Sequence, residues 1–353
     1  MNGKQRIEAA LRGERADRIP VMLHNFLMAA REAGMTQRQF REDPAKIAEA
    51  FIRAVETYDY DGIVVDIDTA TLAGAVGVPV DFPEDDPARC EGGCLPDLAA
   101  ARDLPPPDVA ANPRVQIWLE AVRLLKAHFG DEIYLRGNCD QAPFSLASMM
   151  RTPAEWMMDL LDEARHADVE CLLNHCAEAS GQFLTLMAAT GADMLSNGDS
   201  PASPDLISPA LYRTFAQPWE RQLMDLAHAL GKPYLLHICG NTTLILDAML
   251  ATGADVLELD YKTDVRAAGA CFKDHAVFCG NLDPSGVLAL GTAELVANKT
   301  RELLAVFADN PRFILNAGCA IPPATPPANL RAMLRAARES PCQDEENASH
   351  PGR

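Results

Sequence analysis

Residues 233–259 read PYLLHICGNTTLILDAMLATGADVLEL. Pro233–His237 is a short apolar run of strand type, and Asp255–Leu259 is a second one. Between them, Asn241 to about Ala251 carries the composition of a helix, and Gly253 stands where a helix ends in a left-handed residue. Strand, helix and strand in so short a span describe a parallel βαβ unit, because parallel neighbours need a crossover and a helix is the usual one.

Six further runs of the same kind flank this unit: Ile19–Leu23, Gly62–Asp66, Ile133–Arg136, Asp193–Ser196, Ala276–Cys279 and Phe313–Asn316. Ala- and Leu-rich helical stretches separate them. Thr152-Pro153-Ala154-Glu155 opens one long amphipathic helix with a cap and a proline in the first turn. Ser208-Pro209-Ala210-Leu211 opens another that reaches about Leu230. Eight strands alternating with helices predict an α/β fold, a single (β/α)8 TIM barrel with an N-terminal helical extension in residues 1–18. An open doubly wound sheet would carry a glycine-rich phosphate loop after its first strand, and no GxGxxG occurs. Asp81–Pro113, rich in Pro, Gly and Asp, reads as an insertion between the second and third strands. The barrel is expected to fill residues 1–340, and polar Pro341–Arg353 to be a flexible tail.

Composition narrows the function. The chain of 353 residues is 48% hydrophobic and 23% charged, ordinary for a globular protein with a sizeable core. A net charge of −19 argues against nucleic acid or an anionic membrane as the main partner. The opening residues lack the apolar stretch of a secretion signal, and no run is long enough to span a bilayer, so a cytoplasmic protein is expected. Its 10 cysteines are scattered, which favours core or metal roles over a disulfide framework.

In such a barrel the functional groups collect where strands end. His24 and Asn25 follow the first run, Asp66 and Asp68 the second, Asn138 and Asp140 the third, and Asn197 and Asp199 the fourth. His237 and Cys239 follow the fifth, Asp260 the sixth, Asn281 and Asp283 the seventh, Asn316 and Cys319 the eighth. We take His24, Asn25, Asp68, Asn138, Asp140, Asn197, Asp199 and Asn281 as candidate substrate-binding residues. Asn and Asp also cap helices and make turns, so each position has that plainer reading beside it.

Leu235-Leu236-His237-Ile238-Cys239-Gly240 carries the sharpest chemical signal. Residues two apart on a strand leave on one face, so His237 and Cys239 can share a ligand. Cys319, in Ala317-Gly318-Cys319-Ala320, emerges at the same mouth. Two thiolates and an imidazole suit zinc, and three protein ligands leave one position open, as catalytic zinc requires. By spacing alone the signal is weak, since a core histidine and two buried cysteines would look the same. Asp199, Glu258 or water are candidates for the fourth ligand. Cys90 and Cys94 form a pair without a second pair to complete it.

The segments RGNCDQAPFSLASMM (136–150), VLELDY (256–261), GNLDP (280–284) and LNAGCAIPPATPPANL (315–330) resemble motifs of the uroporphyrinogen decarboxylase superfamily, in order and over about residues 1–340. That resemblance implies a (β/α)8 barrel. It departs from the decarboxylases at telling places. They carry an arginine-containing segment after the first strand that binds substrate carboxylates. Here that stretch is Leu23-His24-Asn25-Phe26-Leu27-Met28, with no arginine before Arg31. The decarboxylase tyrosine falls at Met149, and a late histidine falls at Cys319. Asp68 occupies the place of the catalytic aspartate, where orienting substrate and capping a helix are both open.

The His-x-Cys and distant Cys match the zinc-dependent, corrinoid-linked branch, similar to methylcobamide:coenzyme M methyltransferases. The resemblance implies zinc on His237, Cys239 and Cys319. It further implies methyl transfer between a corrinoid and a small-molecule thiol or methylated substrate. No Asp-x-His-x-x-Gly cobalamin motif is present, so a partner corrinoid protein is expected to bring the methylcobamide to the barrel mouth. A homodimer is also suggested. The alternatives are a uroporphyrinogen-type decarboxylase and a non-catalytic zinc- or corrinoid-binding accessory protein.

Overall fold

The computed structural model describes residues 1–340; the expected tail, 341–353, lies outside the described residues. The barrel strands are β1 (Met22–Leu23), β2 (Gly62–Val65), β5 (Tyr134–Gln141), β6 (Met194–Gly198), β7 (Tyr234–Ile238), β8 (Val256–Leu259), β9 (Val277–Leu282) and β10 (Phe313–Ala317). A separate hairpin pairs β3 (Val80–Asp81) with β4 (Arg89–Cys90). The eight barrel strands run in the order β1-β2-β5-β6-β7-β8-β9-β10. A parallel bridge from Val21 to Leu315 brings the last strand back to the first. The (β/α)8 barrel expected from the sequence is the fold observed, and each of the eight expected runs supplies one strand.

Details differ for identifiable reasons. The first strand is shorter than Ile19–Leu23, while β5 continues to Gln141, past the expected Arg136. The helix expected from Ser208 to Leu230 breaks at Ala216 into Pro209–Phe215 and Gln217–Ala229. Pro218 has no N–H for the carbonyl of Thr214, and its ring crowds that turn. The Asn241–Ala251 helix is reduced to a tight turn at Thr243–Ile245 and a short helix, Leu246–Leu250. Its first residues bond elsewhere: Thr242 Oγ1 meets Thr263 Oγ1 at 2.9 Å, and Asn241 Oδ1 accepts from the Thr243 amide. Gly253 is left-handed as expected, at φ +87°. Thr152 does cap its helix, which stops at Leu161 before a turn leads into His166–Ala188. The 81–113 insertion is anchored by Arg41, a buried guanidinium that donates to the carbonyls of Pro83 and Asp86.

Alternation along the strands builds the lumen in layers. The lower layer is apolar, with Met22, Val64, Leu235, Val256 and Ile314 in one cluster. Ile7 and Ala10 of the N-terminal helix Gly3–Arg12 close it from below. The fit is tight: a Cβ on Gly62 would stand 2.5 Å from Ile7 Cδ1. Two residues further along, the eight strands contribute His24, Asp66, Arg136, Ser196, His237, Glu258, Cys279 and Asn316. Seven of these can hydrogen-bond strongly, so the barrel changes from apolar to polar within one layer.

Because Ile7 plugs the floor, Ile7→Ala is expected to destabilise the protein by about 2–5 kcal/mol. Urea unfolding should show it as a lower midpoint with an unchanged slope.

Candidate metal centre

His237 is the inward residue of β7 above Leu235, and Cys239 follows two positions on. Cys319 leaves the end of β10. His237 Nε2 lies 3.0 Å from Cys239 Sγ, and the two sulfurs are 3.6 Å apart. All three donor atoms fall within 4.8 Å of one another. Two sulfurs bound at about 2.3 Å to one tetrahedral ion would stand roughly 3.8 Å apart. A disulfide would need about 2.05 Å. The spacing therefore fits a shared soft cation, and the donor set suits zinc.

The turn after Cys239 is held from both sides. Gly240 is left-handed, and a Cβ there would come within 2.5 Å of Ser203 and Asp205 side-chain oxygens. Its amide donates to Asp260 Oδ2 at 3.0 Å. Any larger residue at 240 would push the strand exit off its course.

The other ring nitrogen of His237 is fixed by Glu258. Nδ1 stands 3.2 Å from both the backbone oxygen and Oε2 of Glu258. Donation from Nδ1–H to Glu258 leaves Nε2, on the side of the thiols, as the nitrogen that a metal would take once its proton is displaced. Glu258 is itself fully buried, clamped by Arg136 through Nη1 at 2.8 Å and Nη2 at 3.0 Å. Asn316 Nδ2 donates to its Oε1 at 2.8 Å.

The electrostatics follow from burial and contact. Burial pushes the Glu258 carboxyl up, but Arg136 and His237 outweigh it and hold it well below its usual range. Burial also opposes a charged His237, yet hydrogen bonds with Cys319 and Glu258 raise it to about 10. Cys239 is lowered by its hydrogen bond with Cys319, against burial and with help from Ser200. Cys319 is correspondingly raised to about 12, by Cys239 first and burial second. Near neutrality the metal-free cluster therefore keeps the protons of His237 and Cys319.

The remaining candidates divide. His24 points into the lumen, its Nε2 2.7 Å from Asp66 Oδ2. Asp68 accepts from the amides of Ala70 and Thr71 and from Thr71 Oγ1, so its plainer capping reading has full geometry. Asp140, left-handed at φ 59°, accepts from Leu72 N and Gln141 Nε2; burial and Asp68 push its carboxyl well up. Asn138 accepts from Ser196 Oγ, and Asn281 donates to the Asp260 backbone oxygen.

Three others are drawn away from the lumen centre. Asn25 is fully buried and stands at the start of the helix Phe26–Glu32 without capping it. Asn197 donates to the carbonyls of Cys139 and Gln141 and receives Tyr234 Oη, which makes it a strap between β5 and β6. Asp199 takes the amide and hydroxyl of Ser145 and faces Glu220. Neither Asp199 nor Glu258 joins the three-residue group as a fourth ligand. The nine cysteines among the described residues are free thiols, and Cys90 and Cys94 gather no further ligand there.

What the sequence reading missed lies one step deeper than the strand ends: Glu258 as the group that orients His237, with Arg136 and Asn316 behind it. Extending the period-2 alternation inward from each strand end would have exposed that layer.

A (β/α)8 barrel with a His-Cys-Cys cluster at its mouth thus describes the class of the protein. Its sequence matches the family model "Uroporphyrinogen decarboxylase (URO-D)" over residues 2–340, and the chain belongs to that family. It is 33% identical to methylcobamide:CoM methyltransferase MtbA of Methanosarcina acetivorans over 225 residues, 64% of each chain. The match thus spans just under two thirds of that relative. It is 28% identical to uroporphyrinogen decarboxylase of a Synechococcus strain over 348 residues, 93% of this chain and 94% of that one. A solved methyltransferase from Methanosarcina mazei superposes with a TM-score of 0.86 at 24% identity, covering 96% and 99% of the two chains, which supports the fold. Among the described residues no helix is long and apolar enough to cross a membrane.

Metal binding must displace the protons on His237 and Cys319, so affinity should rise with pH. Between pH 7 and 8 the apparent zinc constant is expected to gain at least about two log units, one for each of those protons, read by chelator competition. Glu258→Gln should weaken zinc about 10–100-fold while His237 and both cysteines remain.

Proposed function

We propose that the chain is a zinc-dependent methyltransferase. It would move a methyl group between a protein-bound methylcobamide and a small-molecule thiol or methylated substrate, with residues 1–340 acting as one barrel unit. The observation that carries this reading is the three-donor cluster at the strand ends, with His237 Nδ1 held by Glu258. The similarity to methylcobamide:CoM methyltransferases supports the choice of reaction.

His237, Cys239 and Cys319 would hold the zinc. When bound there, zinc keeps a substrate thiol as a nucleophilic thiolate at neutral pH, or acts as a Lewis acid on a methylated substrate. The chain's own residues do the rest. Glu258 and Arg136 fix the imidazole from below. The apolar layer under them keeps water out of the lumen floor. Ser200 hydrogen-bonds Cys239 and steadies its negative charge. A corrinoid carried on a separate protein would supply or take the methyl group at the strand ends that carry these three residues. The same residues serve transfer in either direction.

Decarboxylation of uroporphyrinogen needs cations for many carboxylates, and two buried arginines are committed elsewhere. Arg136 is bound to Glu258 and Ser196, and Arg41 to backbone carbonyls of the insertion.

Purified protein should contain about one zinc per chain. His237→Ala, Cys239→Ala and Cys319→Ala should each lose the metal while staying folded. Loss of the methylcobalamin spectrum on adding 2-mercaptoethanesulfonate should depend on zinc and vanish in all three. A metal-free native protein that binds no added zinc would refute the reading.

A further inference from the structure

Cys239 and Cys319 leave strands that are not neighbours. In the sheet β8 and β9 lie between β7 and β10, so the ladder does not join the two exits directly. Yet the two sulfurs stand 3.6 Å apart, close to what one tetrahedral ion asks of its ligands. Something beyond the strands must hold that spacing.

The residues that follow β8, Asp260–Thr263, reach both exits. On one side they grip Gly240, the residue after Cys239, by both of its backbone groups. The Gly240 amide donates to Asp260 Oδ2 at 3.0 Å, and Thr263 Oγ1 donates to the Gly240 carbonyl at 3.2 Å. With its one proton given to Gly240, the Thr263 hydroxyl has two lone pairs left. They take the Thr242 amide at 3.0 Å and the Thr242 hydroxyl at 2.9 Å. On the other side the same turn lies against Gly318, the residue before Cys319. A Cβ on Gly318 would stand 2.6 Å from Tyr261 N and 3.2 Å from Asp260 Cα. The two backbones therefore meet with no room for a side chain between them.

We propose that the turn Asp260–Thr263 is the spacer that sets the distance between the two metal-binding sulfurs, with Thr263 as its positioning residue. This rests on the three-donor centre, whichever substrate that centre serves. The turn is closed on itself: Thr263 N donates to Asp260 O at 3.1 Å, and Lys262 N to Asp260 Oδ1 at 3.0 Å. Asn281 Nδ2, from β9, donates to the same Asp260 carbonyl at 3.2 Å and ties the turn to the neighbouring strand. The Gly318 amide donates to Leu282 O at 2.8 Å, so β9 also holds the Cys319 exit against the turn. Asp260 and Thr263 are both buried, which spares these bonds from competition with water.

A loop that merely finishes β8 and a loop that spaces the sulfurs respond differently to damage. In the first case, breaking the turn lowers stability and leaves the metal site as it was. In the second, loosening the turn on the Cys239 side, or wedging it on the Cys319 side, spoils the geometry offered to the ion.

Cobalt(II) is the probe, because its visible bands report the coordination geometry directly. Thr263→Val keeps the side-chain shape and removes the hydroxyl's three hydrogen bonds, whereas Thr263→Ser keeps the hydroxyl. Gly318→Ala drives a methyl into the turn from the opposite side. Native protein and Thr263→Ser should bind cobalt alike, with the intense bands of a four-coordinate thiolate site. Thr263→Val and Gly318→Ala should each bind it about 10–100-fold more weakly, with weakened bands at saturation. Asp43→Ala is the control for stability alone, since Asp43 caps another helix by accepting from Ala45 N at 2.9 Å. It should lower the urea midpoint and leave the bands unchanged. If Gly318→Ala does not fold, the comparison of Thr263→Val with Thr263→Ser decides. Native bands and native affinity in a folded Thr263→Val overturn the spacer and leave the metal centre standing. Native protein that binds no cobalt refutes both.

Discussion

Arg136 and Glu258 face each other across the lumen, from β5 and β8, which are separated in the sheet by two strands. Both side chains are almost completely buried. A pair of this kind is poor evidence for stability, because removing two ions from water offsets most of their attraction. Its value here is positional. The bidentate contact sets Glu258 at one depth and one orientation, and Glu258 then sets His237. Removing either partner would strand the other charge in the barrel, at a cost of about 3–5 kcal/mol. The imidazole depends on that single clamp more than on any loop at the mouth.

Burial also explains why the polar layer needs a tight floor. Below it, the apolar layer and the Ile7 plug leave no path for water from the N-terminal side. Charged groups one layer up therefore act in a medium of low polarisability, where a fixed dipole or charge is felt more strongly than in water. That is the physical reason why one hydrogen bond between Cys239 and Cys319 separates two equivalent thiols, lowering one and raising the other to about 12.

Much of this was legible in the sequence. The eight strands announce themselves as short apolar runs, since buried parallel strands are apolar on both faces. His237 and Cys239 were legible for the same geometric reason, being two apart at a strand end. Helix lengths were not: Pro218 inside an otherwise helical stretch, and Asn241 and Thr242 bonded to Asp205 and Thr263 of neighbouring loops, cut helices that periodicity alone extends. Nor did residue type separate the lumen from the walls. Asn197 and Asn138 look alike as polar residues at strand exits, yet Asn197 ties two strands together while Asn138 meets Ser196 within the inner layer. Parity along the strand distinguishes them, and parity is settled only once the register is known.

Family membership and local chemistry answer different questions here. The URO-D fold brings eight strand ends to one mouth, and relatives that share it carry the names of a decarboxylase and of a methyltransferase. Fold cannot choose between them; side chains can. In this chain two cysteines and a histidine converge where a soft cation fits, and Arg136, inside the barrel, is already bound to protein groups. A substrate with many carboxylates would find its anchors occupied. Under the proposed function, a neutral or singly charged sulfur compound would need none of them, because its sulfur would be held by the metal. The clamp that orients the histidine thus also bears on ligand choice, since an arginine spent on Glu258 is not available to a carboxylate.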